Sequence, residues 1–222
     1  MPRTQNKVLK DLIRYSGRHI SKIIPVEYAI GKLFPQKDIL IIDVGAVQTS
    51  LTLKKQGTIE AISKFPVGIH HLLELVAKNH SKTRSEILRD INTNNYSLEK
   101  KYFANIWGQA FGMTLGELTQ GNMCPQNFAL IGGGGNNTFL HDEILYFPFH
   151  HYSISIPQER YIVGEDLSSI LGNMQGIQIK YIDQMNLEMY ALLEETRRHL
   201  SGESDIIGIS LEKALKKLGY EV

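Results

Sequence analysis

The chain has 222 residues, 42% hydrophobic and 21% charged, enough for one large domain or two small lobes around a sizeable core. A formal net charge of +1 gives no basic excess to argue for nucleic acid as a partner, and the single cysteine, Cys124, excludes an internal disulfide framework and a cysteine-rich zinc site. No window approaches about eighteen continuous apolar residues, so no transmembrane segment is expected, and one cysteine without a signal-like N-terminus points to a cytoplasmic setting.

In chain order, residues 5–16 pattern as an amphipathic helix closed by Gly17. HISKII (19–24) is a short strand candidate, and Pro25 suits the first turn of a helix over PVEYAIGKLF. KDILIIDVGA (37–46) is a continuous apolar run of strand length, the pattern of a strand buried on both faces. QTSLTLKK (48–55) alternates, QG turns, and TIEAISKFPVG (58–68) returns, so three strands form a meander.

Helices follow over GIHHLLELVAKNH (68–80) and TRSEILRDI (83–91), where Thr83 and Glu86 have the spacing of a capping box. A long helix is expected over 98–118. It carries the only tryptophan, Trp107, and three glycines that argue against an unbroken helix. QNFALI (126–131) is strand-like, and four glycines separate it from a helix over NNTFLHDEIL (136–145) capped by an asparagine. Further elements are a strand at 149–156, a helix at 164–172, a strand at 177–182, a helix at 185–200 and a basic amphipathic helix at 209–219. The order is that of an α/β layered protein.

Three stretches carry chemistry. In IIDVGAVQTSLTLKKQG, Asp43 closes a buried strand and Gly45 opens a turn. A carboxylate there can hold a magnesium-bound water while backbone N–H groups meet phosphate oxygens, and the Thr49 hydroxyl is a further candidate. Asp and Gly also serve an ordinary hairpin turn, and that reading stays open. The run Gly132, Gly133, Gly134, Gly135 lies between a strand and a helix. No lysine follows it, and the G-x-G-x-x-G spacing is absent, so ligand contact and a plain tight turn stand level. In SEILRDI, Glu86 and Arg89 share one helix face and fit either a nucleoside contact or a solvated ion pair. The pairs His70–His71 and His150–His151 point apart and match no metal motif. The last helix fits docking on its own domain better than a membrane surface, since its apolar side lacks large aromatics.

In this order the stretches resemble the second half of the actin-like ATPase superfamily, in the bacterial branch that holds the cell-division protein FtsA and the type IV pilus assembly protein PilM. IIDVGAVQTSLTLKKQG is similar to that family's second phosphate loop, and FPVG with the helix after it to the close of the meander. SEILRDI resembles its A-E-x-x-K signature, FALIGGGGNN its adenosine loop, and IPQERYIVGEDLSSILG its late P-x-x-x-x-x-x-G helix. LKDLIRYSGRHISKIIPVEYAIGKLF resembles the helix–strand–helix that ends the family's first half. The wording D-x-G-A-x-x-T-S-L is nearer the pilus branch.

The resemblance implies an actin-like ATPase (ribonuclease H-like) second lobe, with a mixed sheet, a three-strand meander and flanking helices. Residues 1–36 would end the first lobe, 37–172 would form the second with a helical insertion at about 69–122, and 173–222 would be a mostly helical extension. It implies ATP or ADP with magnesium as ligand. Asp43 would serve the metal, with Gly45, Thr49 and Gly68 on the phosphate side. Glu86 and Arg89 would serve the nucleoside, and Gly132, Gly133 and Gly134 the adenine. Inner-membrane pilus or division proteins, or self-association, are the implied partners, with a place at the inner-membrane face.

Two departures bear on this. Val47 stands where the family has a small or polar residue, and Arg89 where it has lysine. The family's first phosphate loop has no counterpart among these residues. A micromolar site is worth about −8 kcal/mol, and losing roughly two phosphate bonds removes about 3–6 kcal/mol. Affinity near millimolar and no turnover are therefore expected of this chain alone. A nucleotide-independent interaction module with the same fold is the competing expectation, and a sugar- or acetate-kinase lobe a third.

Overall fold

The computed structural model describes residues 25–162, apart from 92, 94, 135, 136, 158 and 160. The elements expected at 5–16, 19–24 and from 164 onward lie outside the described residues. The described elements run α1 (Val26–Leu33), β1 (Ile39–Val44), β2 (Thr49–Lys55), β3 (Thr58–Phe65), α2 (Ile69–His80), α3 (Arg84–Asp90) and α4 (Ser97–Thr119). They continue with β4 (Asn127–Ile131), α5 (Thr138–Leu145), a 3-10 turn (Phe149–Tyr152) and β5 (Tyr161–Ile162).

The strands form one mixed sheet in the order β3-β2-β1-β4-β5. β1, β2 and β3 are the expected antiparallel meander, while β4 lies parallel to β1 and β5 parallel to β4. β1 is central, and this explains its unbroken apolar sequence. Leu40, Ile42 and Val44 enter the main core with Leu51, Leu53, Phe128 and Leu130. Ile39 and Ile41 are equally buried on the opposite face, where α1 lies across β2 and β3. A two-faced strand cannot alternate with polar residues without burying them. Thr52 and Lys54 are buried there too, and the Lys54 ammonium donates to the Phe34 carbonyl at 2.6 Å. Glu27 of α1 pairs with Lys64 of β3 and fastens the helix to the meander.

Three helices fill the connection from β3 to β4. α3 opens with the expected capping box: Glu86 accepts from the Thr83 N–H at 2.8 Å, and Thr83 Oγ1 accepts from the Glu86 N–H at 3.4 Å. α2 and α4 are joined through the buried Glu99, which accepts from Asn79 at 2.9 Å and lies 2.9 Å from His80 Nε2. The Asn79 bond, ahead of the His80 contacts, holds the Glu99 carboxyl below its usual range.

α4 runs unbroken over 23 residues, against the expectation from its glycines. The reason is tertiary. Gly108, Gly112 and Gly116 recur every four residues on one side, where the rings of Phe147 and Tyr152 and the Tyr152 carbonyl press close. The packing recovered there offsets the helix cost of glycine. The three glycines should therefore respond differently to alanine. A Cβ on Gly108 would sit 3.4 Å from the Phe147 ring, and Gly108→Ala is expected to be neutral or to stabilise by up to about 1 kcal/mol. A Cβ on Gly112 would meet the Tyr152 ring at 2.6 Å, and Gly112→Ala is expected to destabilise by about 1–3 kcal/mol. The melting temperature should fall for Gly112→Ala and hold or rise for Gly108→Ala, and a shared rise would refute the packing argument.

The strand expected at 149–156 does not form. Phe149–Tyr152 is a 3-10 turn, and the fifth strand is Tyr161–Ile162. Phe149 is buried in a cluster with Phe111, Phe128 and Phe147, its ring 4.9 Å from that of Phe147. Ser153, at φ +56°, turns the chain away immediately afterwards. Core aromatics won over the local strand pattern.

Candidate functional site

Two of the predicted stretches, the Asp43 turn and the glycine run, meet at one end of β1. Asp43 sits between Ser50 of β2 and Ile131 of β4 in the sheet register. β1 and β4 are parallel neighbours, so both release their following loops on the same side. Ligands of α/β sheets gather beyond such strand ends.

The loop after β4 folds directly against Asp43. Gly132 has φ +79°, and a Cβ on it would run into Asp43 Oδ1 and come within 2.8 Å of the Val44 carbonyl. The Gly134 N–H donates to that carbonyl at 2.8 Å, and a Cβ on Gly134 would collide with the Val44 side chain. Gly133 is different: it is exposed, and among the described residues its Cβ position has no neighbour within 4 Å. It presents bare backbone to the outside. Asn137 stands at the cap position of α5, but its side chain does not cap that helix as expected. Its Nδ2 instead donates to the Gly134 carbonyl at 3.0 Å and the Gly133 carbonyl at 3.4 Å, from a site only 3% exposed. This amide holds the glycine turn in shape.

The loop after β1 closes on itself, the Gly45 N–H donating to the Gln48 carbonyl at 3.0 Å. Val47 at its tip is 63% exposed. Gly68 packs on the other side, where a Cβ would fall 2.6 Å from the Ala46 carbonyl and the Gly45 oxygen. That closeness lets the Ile69 and His70 N–H groups donate to the Gly45 and Ala46 carbonyls at 3.0 and 2.8 Å. The free N–H groups of a helix start are the usual anion ligands. Here two of them are spent on the turn.

Thr49 corrects the sequence expectation. It is fully buried, its hydroxyl donates to the Val67 carbonyl at 2.6 Å, and it accepts from Trp107 Nε1 at 3.1 Å. No donor remains for a phosphate. The signal was in the sequence, since Thr49 shares its alternation with the inward Leu51 and Leu53. Trp107 and Asn137 were missed as site-shaping residues because their partners lie far along the chain.

Glu86 and Arg89 are on α3, and their bonds are local. Glu86 is committed to Thr83, whose side-chain and backbone bonds hold its carboxyl below the usual range. Arg89, largely exposed, lies 3.7 Å from Asp90, so the Glu86–Arg89 ion pair considered from sequence does not form. Among the described residues no group of three or more His, Cys, Asp or Glu side chains is arranged to hold a metal ion. Asp43 places a carboxylate beside backbone turns. That fits magnesium, which keeps most of its waters and shares its remaining ligands with phosphates. Cys124 is inert, burial pushing its thiol up to about 12.

No protein-family model matches the sequence, and no curated protein matches it. Solved structures do. A type IV pilus biogenesis complex of PilM and PilN matches at TM-score 0.56 and 16% identity, over 86% of this chain and 58% of that one. The chain has the actin-like ATPase fold. The ethanolamine utilization protein EutJ from Carboxydothermus hydrogenoformans matches at TM-score 0.47 and 15% identity, over 68% and 55% of the two chains. An archaeal actin homologue matches at 0.45 and 13%, over 78% and 54%. The chain thus spans a little over half the length of these three structures. Among its described residues no helix is long and apolar enough to cross a membrane.

Proposed function

We propose that this chain is an adenine-nucleotide-binding lobe of an actin-like scaffold protein in type IV pilus assembly, with a cell-division scaffold as the neighbouring alternative. The observation that carries the reading is the meeting of three distant stretches at the end of β1. The glycine turn after β4 rests on Asp43 and Val44, and the start of α2 rests on the Gly45–Ala46 turn that follows them. Gly133 offers the adenine an open stretch of backbone. Asp43 would hold magnesium through water, and the ion would neutralise phosphate charge. Gly45 and its turn would face the phosphates, and Gly68 lets α2 approach that turn. Glu86 and Arg89 enter through the family resemblance alone. Membrane-bound pilus or division proteins, or further copies of the chain, are the proposed partners, reached at the inner-membrane face.

One observation favours the nucleotide-independent module instead. The Thr49 hydroxyl and the first amides of α2 are already bonded within the protein. Affinity is therefore expected near the millimolar range. Titration with Mg-ADP, followed by amide NMR, separates the two. Shifts at residues 45–48 and 132–134 at millimolar nucleotide are expected, with no hydrolysis of ATP. Unmoved amides at both turns would leave the interaction module as the better account.

A further inference from the structure

The Thr49 hydroxyl joins three parts of the molecule. It begins β2, one residue after Gln48, whose carbonyl closes the 45–48 turn. It donates to Val67, one residue before Gly68 and the α2 amides that bond that turn. It accepts from Trp107, in the middle of α4. The indole cannot give way easily, being stacked on Phe111 at 4.9 Å and edge-on to Phe65 at 6.0 Å. Thr49 and Trp107 are both 0% exposed, so no water can replace either partner without opening the core.

We propose that Thr49 is a positioning residue of this site. Through Trp107 it clamps the 45–48 turn and the start of α2 to the long helix, so that turn and helix change state together. The nucleotide at the turn rests on the function proposed above. The clamp is a property of the chain without any ligand.

Amide hydrogen exchange on Thr49→Val and Thr49→Ser tests it. Valine keeps the shape and removes the hydroxyl, whereas serine keeps the hydroxyl. In Thr49→Val the Gly45, Ile69 and His70 amides are expected to exchange about five- to tenfold faster than wild type, beyond any change at Ala129 and Leu130 of β4. Thr49→Ser should restore the wild-type rates at these three. Equal behaviour of the two variants, or a uniform rise along the chain, would overturn the proposal.

If Thr49→Val does not fold, Val47→Gly replaces it. Val47 is exposed at the tip of the turn, two residues before Thr49, so its loss perturbs the turn while leaving the clamp itself in place. The single tryptophan gives one indole N–H resonance. That resonance is expected to shift together with the 45–48 amides, and its staying fixed while they move would defeat the clamp. Mg-ADP distinguishes the two proposals. Turn amides that move without the indole would defeat the clamp and keep the nucleotide site. No movement with Mg-ADP, alongside the expected exchange pattern in Thr49→Val, would keep the clamp and defeat the nucleotide site.

Discussion

Gly132→Ala is expected to lower folding stability by about 2–5 kcal/mol, while Gly133→Ala stays within about 0.5 kcal/mol of wild type. The two positions are adjacent and chemically identical, so the contrast isolates geometry. Gly132 holds φ +79°, a conformation that costs a residue with a Cβ about 1–2 kcal/mol. The added carbon would also press into the Asp43 carboxylate and the Val44 carbonyl. Neither can retreat freely, since Val44 is in the central strand and its carbonyl accepts the Gly134 N–H. Overpacking of this kind costs about 1–3 kcal/mol more. A Cβ on Gly133 meets nothing within 4 Å among the described residues. Urea denaturation of the two variants measures the difference, and coincident midpoints would show that Gly132 does not rest on Asp43.

Gly68→Ala is the second large effect, with a loss of about 2–4 kcal/mol. Its backbone is ordinary, at φ −130°, so conformational strain plays no part. At a compatible position, glycine to alanine stabilises by about 0.4–1 kcal/mol through the unfolded chain. The expected sign is reversed because the Cβ would lie 2.6 Å from backbone atoms of Ala46. Backbone cannot rotate away as a side chain can. Relief requires α2 to withdraw, which stretches the bonds from Ile69 and His70 to the turn. A denaturation midpoint at or above wild type would mean that α2 is not seated on the turn as described.

Much of the fold was legible in the sequence because its signals are local. The apolar run of β1 and the alternation of β2 needed no partner to be read. The Thr83–Glu86 capping box forms as its spacing predicts. Failures came where distant side chains intervened. The 149–156 segment looked like a strand until Phe149 was placed among Phe111, Phe128 and Phe147. The glycines of α4 looked like breaks until Phe147 and Tyr152 were set against them.

The candidate site divides in the same way. Asp43 and the glycine run could be named from sequence, because a carboxylate at a strand end and a turn without Cβ atoms are short-range patterns. That Gly132 rests on Asp43 while Gly133 stays open depends on the parallel pairing of β1 with β4, across a long connection. That the Thr49 hydroxyl faces Trp107 and not a ligand depends on where α4 crosses the sheet. Local patterns marked most of the elements and the chemistry available at their ends. Which of those groups are spent on holding the protein together follows from long-range packing, because a buried polar group takes whichever partner packing brings to it.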